Sequence, residues 1–488
     1  MCPVYGKMGN AREVIQVYGC QQVLLNPDRE LSAILNFLCI QSHRLTNMGI
    51  YFARQIYFKA NRYISKFELE KEYKLNRHYK AIHSQAAQQI LRSVYESFKS
   101  YKELIKAYRK GKIEHRPRLP KYRKKGGLAL VSYPKQALRL IDGNIRIPLG
   151  RQVKCWFGLD SFRLPLPSNI EFDDIRELRI LPKNRCFYVE LVYKKEIETP
   201  IVEPDNVLGI DPGLDNWLTC VSNVGTSFII DGKQIKSMNR WYNKQISTIK
   251  QGKPQGFWSK HLGAITEKRN RQMRDGINKA ARIVINHCLK NKIGRVIFGW
   301  NKGGKNEIGL GKKTNSEFVP IPTARLKERI AGLCQQYGIE FIETEESYTS
   351  KASFLDGDYL PKYGEKPKDW KPSGRRTKRG LYRTAMNWYV NADCNGAANI
   401  IRKVSRTLGI NLDELGRGVL TRPHRVFLWS VNKKTVFRDA DSSPRRNILI
   451  RIPRHLCGGV VKPSSSSIAL SSIDSSASGS AIGTITNQ

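Results

Sequence analysis

Hydrophobic and polar positions divide the chain into stretches of different period. From about Val14 to Leu25, apolar and polar residues follow one another as in a strand. The period then lengthens. In SQAAQQILRSVYESFKSYKELIKAY, residues Ala87, Ile90, Leu91, Val94, Phe98, Tyr101, Leu104, Ile105 and Tyr108 recur every three or four positions, which predicts one face of a long bundle helix. From about Leu128 to Lys195, runs such as NIRIPL, ELRILP and CFYVELVYKK, separated by Gly, Pro and Asn, predict strands. A helical segment between an early strand and a later group of strands predicts a helical insertion into a small β-barrel.

After the linker IETPIVEPDN the pattern changes again. Three strand-like runs fill the stretch that begins VLGIDPGLDNWLTCVSNVGTSFIIDGKQI, and a helical pattern follows from about Trp258 to Cys288. Next come a strand in GRVIFGW, a helix in TARLKERIAGLCQQY, a strand in IEFIETEE and a helix around NADCNGAANIIRKV. Three strands in hairpin order, a crossover helix, then alternating strand and helix predict an α/β sheet of the ribonuclease H type, with its first and fourth strands adjacent. The expected fold class is α+β and multidomain. Its parts are the first part of the barrel (1–26), a helical insertion with a basic loop (27–126), the second part of the barrel (127–200), the α/β domain (201–408) and an extension (409–488). From residue 463 the extension is Ser-rich, poor in charge and aromatics, and expected to be disordered.

One acid, Asp211, ends the first strand of the α/β block and is followed by Pro212-Gly213. Two readings are open for it. Asp-Pro-Gly is good turn chemistry, because Pro presets φ and Gly accepts a positive φ. Alternatively, an acid at this strand end meets others. Asp393 stands where Ala392, Gly396, Ala397 and Ala398 let a helix pack close to a sheet, and it also suits the N-cap of that helix. Two or three converging carboxylates would hold a pair of Mg²⁺ ions, or Mn²⁺, and hydrolyse a phosphodiester.

Charge sharpens this. The chain has 84 Lys and Arg against 42 Asp and Glu, a formal net charge of +42, which makes nucleic acid the default partner. One dense run, RKGKIEHRPRLPKYRKKGG, supplies Arg109, Lys112, Arg116, Arg118, Lys121, Tyr122, Arg123, Lys124 and Lys125; a second supplies Arg375, Arg376, Lys378, Arg379 and Arg383. Both have the composition of phosphate-binding surfaces and also of plain solvated loops. No apolar run approaches the length of a membrane span, so no membrane partner is expected. The N-terminal residues lack the apolar core of a secretory signal, which predicts a reducing, cytoplasmic location. None of the ten cysteines falls in a Cys-x-x-Cys pair, so no zinc is expected, and most read as buried free thiols.

In this order, GIDPG, ESYTSKAS and ADCNGAANI resemble the nuclease segments of the TnpB family. These are transposon-encoded RNA-guided DNA endonucleases, related to the compact type V CRISPR effectors, with a RuvC-like nuclease domain. The resemblance runs from the early strand to about Leu408. It implies that Asp211 and Asp393 are the first and third catalytic acids and bind metal. It also implies that the barrel and helical insertion are wedge and recognition parts, which cradle a guide RNA and its heteroduplex with a double-stranded DNA target. Base pairing then reads most of the sequence, while the protein reads shape and a short flanking motif. A prokaryotic, nucleoid-associated monomer is the expectation.

The chain departs from the family in two places. Where the family carries two Cys-x-x-Cys pairs, residues 354–385 form a cysteine-free basic loop. In the fourth strand, where the family has Glu, VIFGWNKGG has Gly299. The missing carboxylate is expected one strand over, about 4.8 Å away, at Glu345 or Glu346. Successive strand residues face opposite ways, so one of the two would bind metal. Glu307 is a more loosely held candidate. The expected function is RNA-guided DNA cleavage by two-metal chemistry. Two alternatives stay open: a nuclease-inactive RNA-guided DNA-binding protein acting in repression or transposon targeting, and an unguided resolvase or transposase of RuvC type.

Overall fold

Strand β1 (Val14–Leu25) is followed by helices α1 (Arg29–Ala60), α2 (Lys66–Tyr73), α3 (Arg77–Lys80) and α4 (Ser84–Arg109) in the computed structural model, which describes residues 14–198, 200–301 and 321–429. Local chemistry sets the helix starts. The Asp28 side chain accepts from the Leu31 amide to cap α1, and Ser65 with Glu68 forms a reciprocal capping box on α2. Helix α4 buries Ala87, Ile90, Leu91, Val94, Phe98 and Tyr101, as its spacing predicts. Leu104 and Tyr108 are exposed instead, because α4 outruns the elements that cover it.

Strands β2 (Val131–Pro134), β3 (Arg139–Ile141) and β4 (Asn144–Pro148) come next, then the short helix α5 (Arg151–Phe157). Strands β5 (Ser161–Pro165), β6 (Ile175–Lys183) and β7 (Cys186–Glu198) complete this half. Hydrogen bonding sorts them into a four-stranded sheet, β1-β7-β6-β2, and a three-stranded sheet, β3-β4-β5, rather than one closed ladder. β1 runs antiparallel to β7 in unbroken register from Val14 opposite Glu198 to Leu25 opposite Phe187. The four helices are therefore looped out of a sheet whose ends meet at their base. One apolar core joins them to both sheets, with Leu35, Leu91, Ile147, Leu178 and Val189 fully buried in it.

The second half begins with β8 (Glu203–Pro212), β9 (Asn216–Ser222) and β10 (Ser227–Asp231), then α6 (Lys233–Lys250) and α7 (Lys260–Lys290). Helix α6 has no counterpart in the sequence reading, although Ile235, Met238, Tyr242, Ile246 and Ile249 recur every three or four positions along it. After β11 (Ile293–Gly299) come α8 (Thr323–Gln336) and β12 (Glu340–Thr344). The expected cysteine-free loop is partly ordered as sheet: β13 (Arg375–Lys378), β14 (Leu381–Arg383) and β15 (Tyr389–Asn391) form an antiparallel three-stranded unit. Helices α9 (Ala392–Leu408) and α10 (Arg417–Thr421) and strand β16 (His424–Val426) end the described chain.

The large sheet has the order β12-β11-β8-β9-β10-β16. β8 is antiparallel to β9 and parallel to β11, so the first and fourth strands of this block are neighbours. Val207 joins the core that holds Ala397, Ala398 and Ile401 of α9, whereas the adjacent Leu208 joins the core of α7 and α8. Alternation along β8 thus places α9 on one face and α7 with α8 on the other. Among the described cysteines, Cys39, Cys220, Cys288, Cys334 and Cys394 are buried, whereas Cys20 and Cys155 are exposed. No helix among the described residues is long and apolar enough to cross a membrane. Glu307 and the Ser-rich stretch from 463 lie outside the described residues.

Candidate active site

Asp211 is carried on the last turn-side residues of β8, opposite Thr219 of β9. Its carboxyl is pushed up to about 8, first by removal from water and then by the negative charges of Glu346 and Asp393, with Arg376 opposing them. Glu346, just past the end of β12, and Asp393, on α9, thus both bear on the Asp211 carboxyl, and Arg376 is the cation that offsets them.

Asp393 sits in the first turn of α9, but it does not cap the helix. Asn391 does so, its side chain accepting from the amides of Asp393 and Cys394 at 3.0 Å each. The Asp393 carboxylate is thereby left to the cleft. Its Oδ1 accepts from Nη2 of Arg376 at 2.6 Å, and its Oδ2 accepts from Nδ2 of Asn216 at 2.7 Å. A Cβ at Gly396, one turn along, would stand 2.7 Å from Oδ2 of Asp211, so only glycine lets α9 come this close to the β8 acid.

The structure separates the two glutamates after β12. Glu345 accepts from Nζ of Lys403 on α9 at 2.6 Å, from Ser347 Oγ at 3.1 Å and from the Tyr363 amide at 3.2 Å. Burial raises its pKa, but the bonds from Lys403 and Tyr363 outweigh this and hold it below the usual range. Glu346 is the one whose charge reaches Asp211. Its backbone is fixed on both sides: its amide donates to Asn301 Oδ1 at 3.0 Å, and its carbonyl accepts from Thr349 Oγ1 at 2.8 Å. Two fully buried asparagines of α9 then hold the following segment. Asn399 donates to the carbonyls of Thr349 and Ala352 at 2.9 and 2.8 Å, and Asn395 donates to Ala352 at 2.8 Å while accepting from the Phe354 amide at 2.9 Å. The helix that carries Asp393 thus sets the position of Glu346.

Gly299, at the end of β11, completes this arrangement. A Cβ there would lie 2.6 Å from Ile400 Cδ1, 2.8 Å from Glu346 Cγ and 3.2 Å from Glu346 Oε1. The room that a side chain on the fourth strand would need is taken by Glu346.

A cleft of about 620 Å³ opens at Asp211 and Asp393, lined also by Asp215 and by Lys233, Arg376, Arg379 and Arg425. Arg379 and Lys236 both pair with Asp215, Lys236 at 3.0 Å. Of the second basic group, Arg376 and Arg379 thus come to the cleft, Arg383 bonds Asn387 at 2.9 Å, and Arg375 and Lys378 are exposed. The first group lies elsewhere. Arg109, Lys112, Arg116, Arg118, Lys121, Tyr122, Arg123, Lys124 and Lys125 are all exposed, and none lines the cleft. Helix α1 pins the backbone of this loop: Asn47 exchanges hydrogen bonds with Arg123 at 2.8 and 3.1 Å, Arg54 donates to the Pro120 carbonyl at 3.0 Å, and His43 contacts the Lys124 carbonyl at 2.9 Å. The charged side chains are left facing water. Asn216, Asp215, Lys233 and Arg425 were not singled out in the sequence; the first three belong to no spacing pattern, and Arg425 lies past the family-like region.

All donors at the acid cluster are hard carboxylate oxygens, the set that suits Mg²⁺ or Mn²⁺. Among the described residues no three His, Cys, Asp or Glu side chains are drawn into a closed metal-holding group. Asp393 instead gives both oxygens to Arg376 and Asn216. This donor chemistry fits a divalent cation, which would have to displace Arg376 from Asp393.

Residues 190–303 match the model of the OrfB_IS605 family, described as a probable transposase. The matched stretch contains both Asp211 and Gly299. The match agrees with the TnpB resemblance of the three motifs, of which GIDPG lies in the matched stretch. Solved structures similar to it include a Cas12f1 complex with sgRNA and target DNA, at 18% identity over 79% of this chain and 98% of that one, with a TM-score of 0.29. A CRISPR-Cas12f ternary complex is 17% identical over 76% and 81% of the two chains, with a TM-score of 0.30. The mini-RNA-guided endonuclease CRISPR-Cas_phi3 is 11% identical over 80% and 92%, with a TM-score of 0.35. These likenesses are distant. No curated protein matches the chain.

Proposed function

We propose that this protein is a divalent-metal-dependent, RNA-guided DNA endonuclease whose α/β half is a RuvC-like, ribonuclease H-type nuclease domain. The observation that carries this reading is the convergence of Asp211 from β8, Glu346 from just after β12 and Asp393 from α9: Asp211 feels the charge of the other two, and the carboxylates crowd Gly299 and Gly396. These three would hold Mg²⁺ or Mn²⁺, which when bound activates a water and stabilises the leaving oxygen of a phosphodiester. The chain's own side chains do the positioning. Asn395 and Asn399 fix the segment that carries Glu346, Gly299 and Gly396 leave room for two carboxylates, and Asn216 holds one oxygen of Asp393. Arg376, Arg379 and Lys233 line the cleft as phosphate ligands, and an entering DNA phosphate offers Arg376 an anionic partner in place of Asp393.

In this reading the helices α1 to α4, their basic loop and the two smaller sheets form the recognition and wedge parts that cradle guide RNA and heteroduplex, and the protein acts as a cytoplasmic monomer on nucleoid DNA. Binding to nucleic acid should therefore depend steeply on salt. With six or more phosphate contacts, affinity is expected to fall roughly 10³-fold or more between 50 and 200 mM salt, and a shallow slope in a filter-binding titration counts against the polyanion surface.

One observation favours a second reading. The engagement of both Asp393 oxygens by Arg376 and Asn216 is what a nuclease-inactive, RNA-guided DNA-binding protein would retain. Purification separates the possibilities. The proposed nuclease co-purifies with a structured RNA and cuts DNA with Mg²⁺; the inactive form keeps the RNA and does not cut; an unguided resolvase carries no defined RNA. Elemental analysis should find no stoichiometric zinc, and a zinc-selective chelator should leave cleavage intact, while removing magnesium stops it. One tightly bound zinc per chain would contradict the metal assignment.

A further inference from the structure

Strand β16 lies beyond the part of the chain that resembles the TnpB family, yet it supplies a side chain to the acid cleft. It pairs in parallel with β10, Ile229 opposite Arg425. The surrounding segment is well anchored. Leu420 and Leu428 are buried, Ser227 Oγ donates to the Val419 carbonyl at 2.6 Å, and Trp429 Nε1 donates to Asp275 on α7 at 3.0 Å. From this strand Nη1 of Arg425 donates to Asp231 Oδ2 at 2.8 Å and to Asn216 Oδ1 at 3.0 Å. The Asp231 side chain is only 7% exposed, so its charge holds the guanidinium firmly in place.

We propose that Arg425 is a positioning residue that fixes Asp393 through the amide of Asn216; this rests on the nuclease reading above. A guanidinium carries only donors, so the atom of Asn216 that it meets is the carbonyl oxygen. That contact turns the Asn216 NH₂ toward Asp393, where it donates to Oδ2 at 2.7 Å. The acceptor-only carboxylate of Asp393 and the donor-only guanidinium of Arg425 select the same orientation, and without Arg425 the amide keeps only one of these two anchors. The two arms on Asp393 differ in permanence. Arg376 is 45% exposed and comes from the small β13-β14-β15 unit, whereas Asn216 is backed by a pair anchored on a buried acid. One oxygen is thus held while the other is left for exchange.

The test uses the full chain and Mn²⁺ alone, titrated by electron paramagnetic resonance, with an Asp393→Ala variant marking the site-specific component. Target cleavage is followed in parallel against Mg²⁺ concentration. Arg425→Ala is expected to weaken Mn²⁺ binding and raise the Mg²⁺ requirement by roughly tenfold or more, the usual effect of losing a partner behind a ligand. Asn216→Ala should do the same, and the double variant should be no worse than either single one, because both act through one contact. Arg425→Lys, which keeps a donor and the pair with Asp231, should recover part of the loss. If Arg425→Ala leaves Mn²⁺ binding unchanged, or if the two losses add, the positioning role is overturned and the nuclease reading stands. If the unmutated protein shows neither cleavage nor Mn²⁺ binding that Asp393→Ala removes, both fall.

Discussion

Glu346→Ala is expected to lower single-turnover DNA cleavage by at least about 10³-fold, as a loss of roughly 4 kcal/mol in transition-state stabilisation implies. Asp211→Ala and Asp393→Ala should be equally inactive. Glu345→Gln should stay within a few-fold of the parent. The two adjacent glutamates differ in their partners: Glu345 is paired with Lys403, whose side chain is only 7% exposed, whereas the Glu346 charge is felt at Asp211. Gln is the informative substitution at 345, because Ala would leave the buried ammonium without its side-chain acceptor and confuse lost stability with lost chemistry. Guide-RNA retention should be unchanged in all four variants. Full cleavage by the Glu346 variant, or loss of cleavage by a well-folded Glu345→Gln, would reverse the assignment.

Gly299→Glu should be inactive, although it restores a carboxylate where the fourth strand of the family carries one. Its Cβ alone would press to 2.8 Å from Glu346 Cγ and 2.6 Å from Ile400 Cδ1, so the new side chain and Glu346 compete for one space. Removing Glu346 relieves the larger part of that conflict. The double variant Gly299→Glu/Glu346→Ala is therefore expected to cut faster than either single variant, by about tenfold or more if the restored carboxylate reaches the same place. A double variant no faster than the singles would mean that Glu346 does not occupy the role left empty at Gly299.

Much of this arrangement is legible in the sequence because apolar periodicity reports burial. β8 alternates between two cores, α9 carries small residues where it meets the sheet, and both signals survive in the letters. What the sequence hides has physical causes. The choice between Glu345 and Glu346 is made after β12 has ended at Thr344, where strand alternation no longer applies and Lys403, far along the chain, takes Glu345. The identity of the α9 cap turns on Asn391, which precedes Asp393 by two residues and offers equally good cap chemistry. Helix α6 carries an apolar stripe, Ile235, Met238, Tyr242, Ile246 and Ile249, but of these only Ile235 is buried, so the stripe does not tell where the helix packs. Arg425 reaches the cleft through a pairing between strands almost two hundred residues apart, a relation that no local pattern encodes.

The antiparallel seam between β1 and β7 bears on how the protein is made. Leu25 must meet Phe187, so roughly 160 residues are synthesised after β1 before its partner exists. At about 5–20 residues per second, that interval is on the order of ten seconds or more. Helices α1 to α4 close by local contacts in micro- to milliseconds and are finished long before then. Throughout the wait β1 presents an unpaired strand edge, the kind of surface that recruits other chains, and its exposed Gln16, Tyr18 and Cys20 do little to repel them. The vulnerable moment in the life of this protein is therefore set by the ribosome, and slower translation between residues 26 and 185 lengthens it.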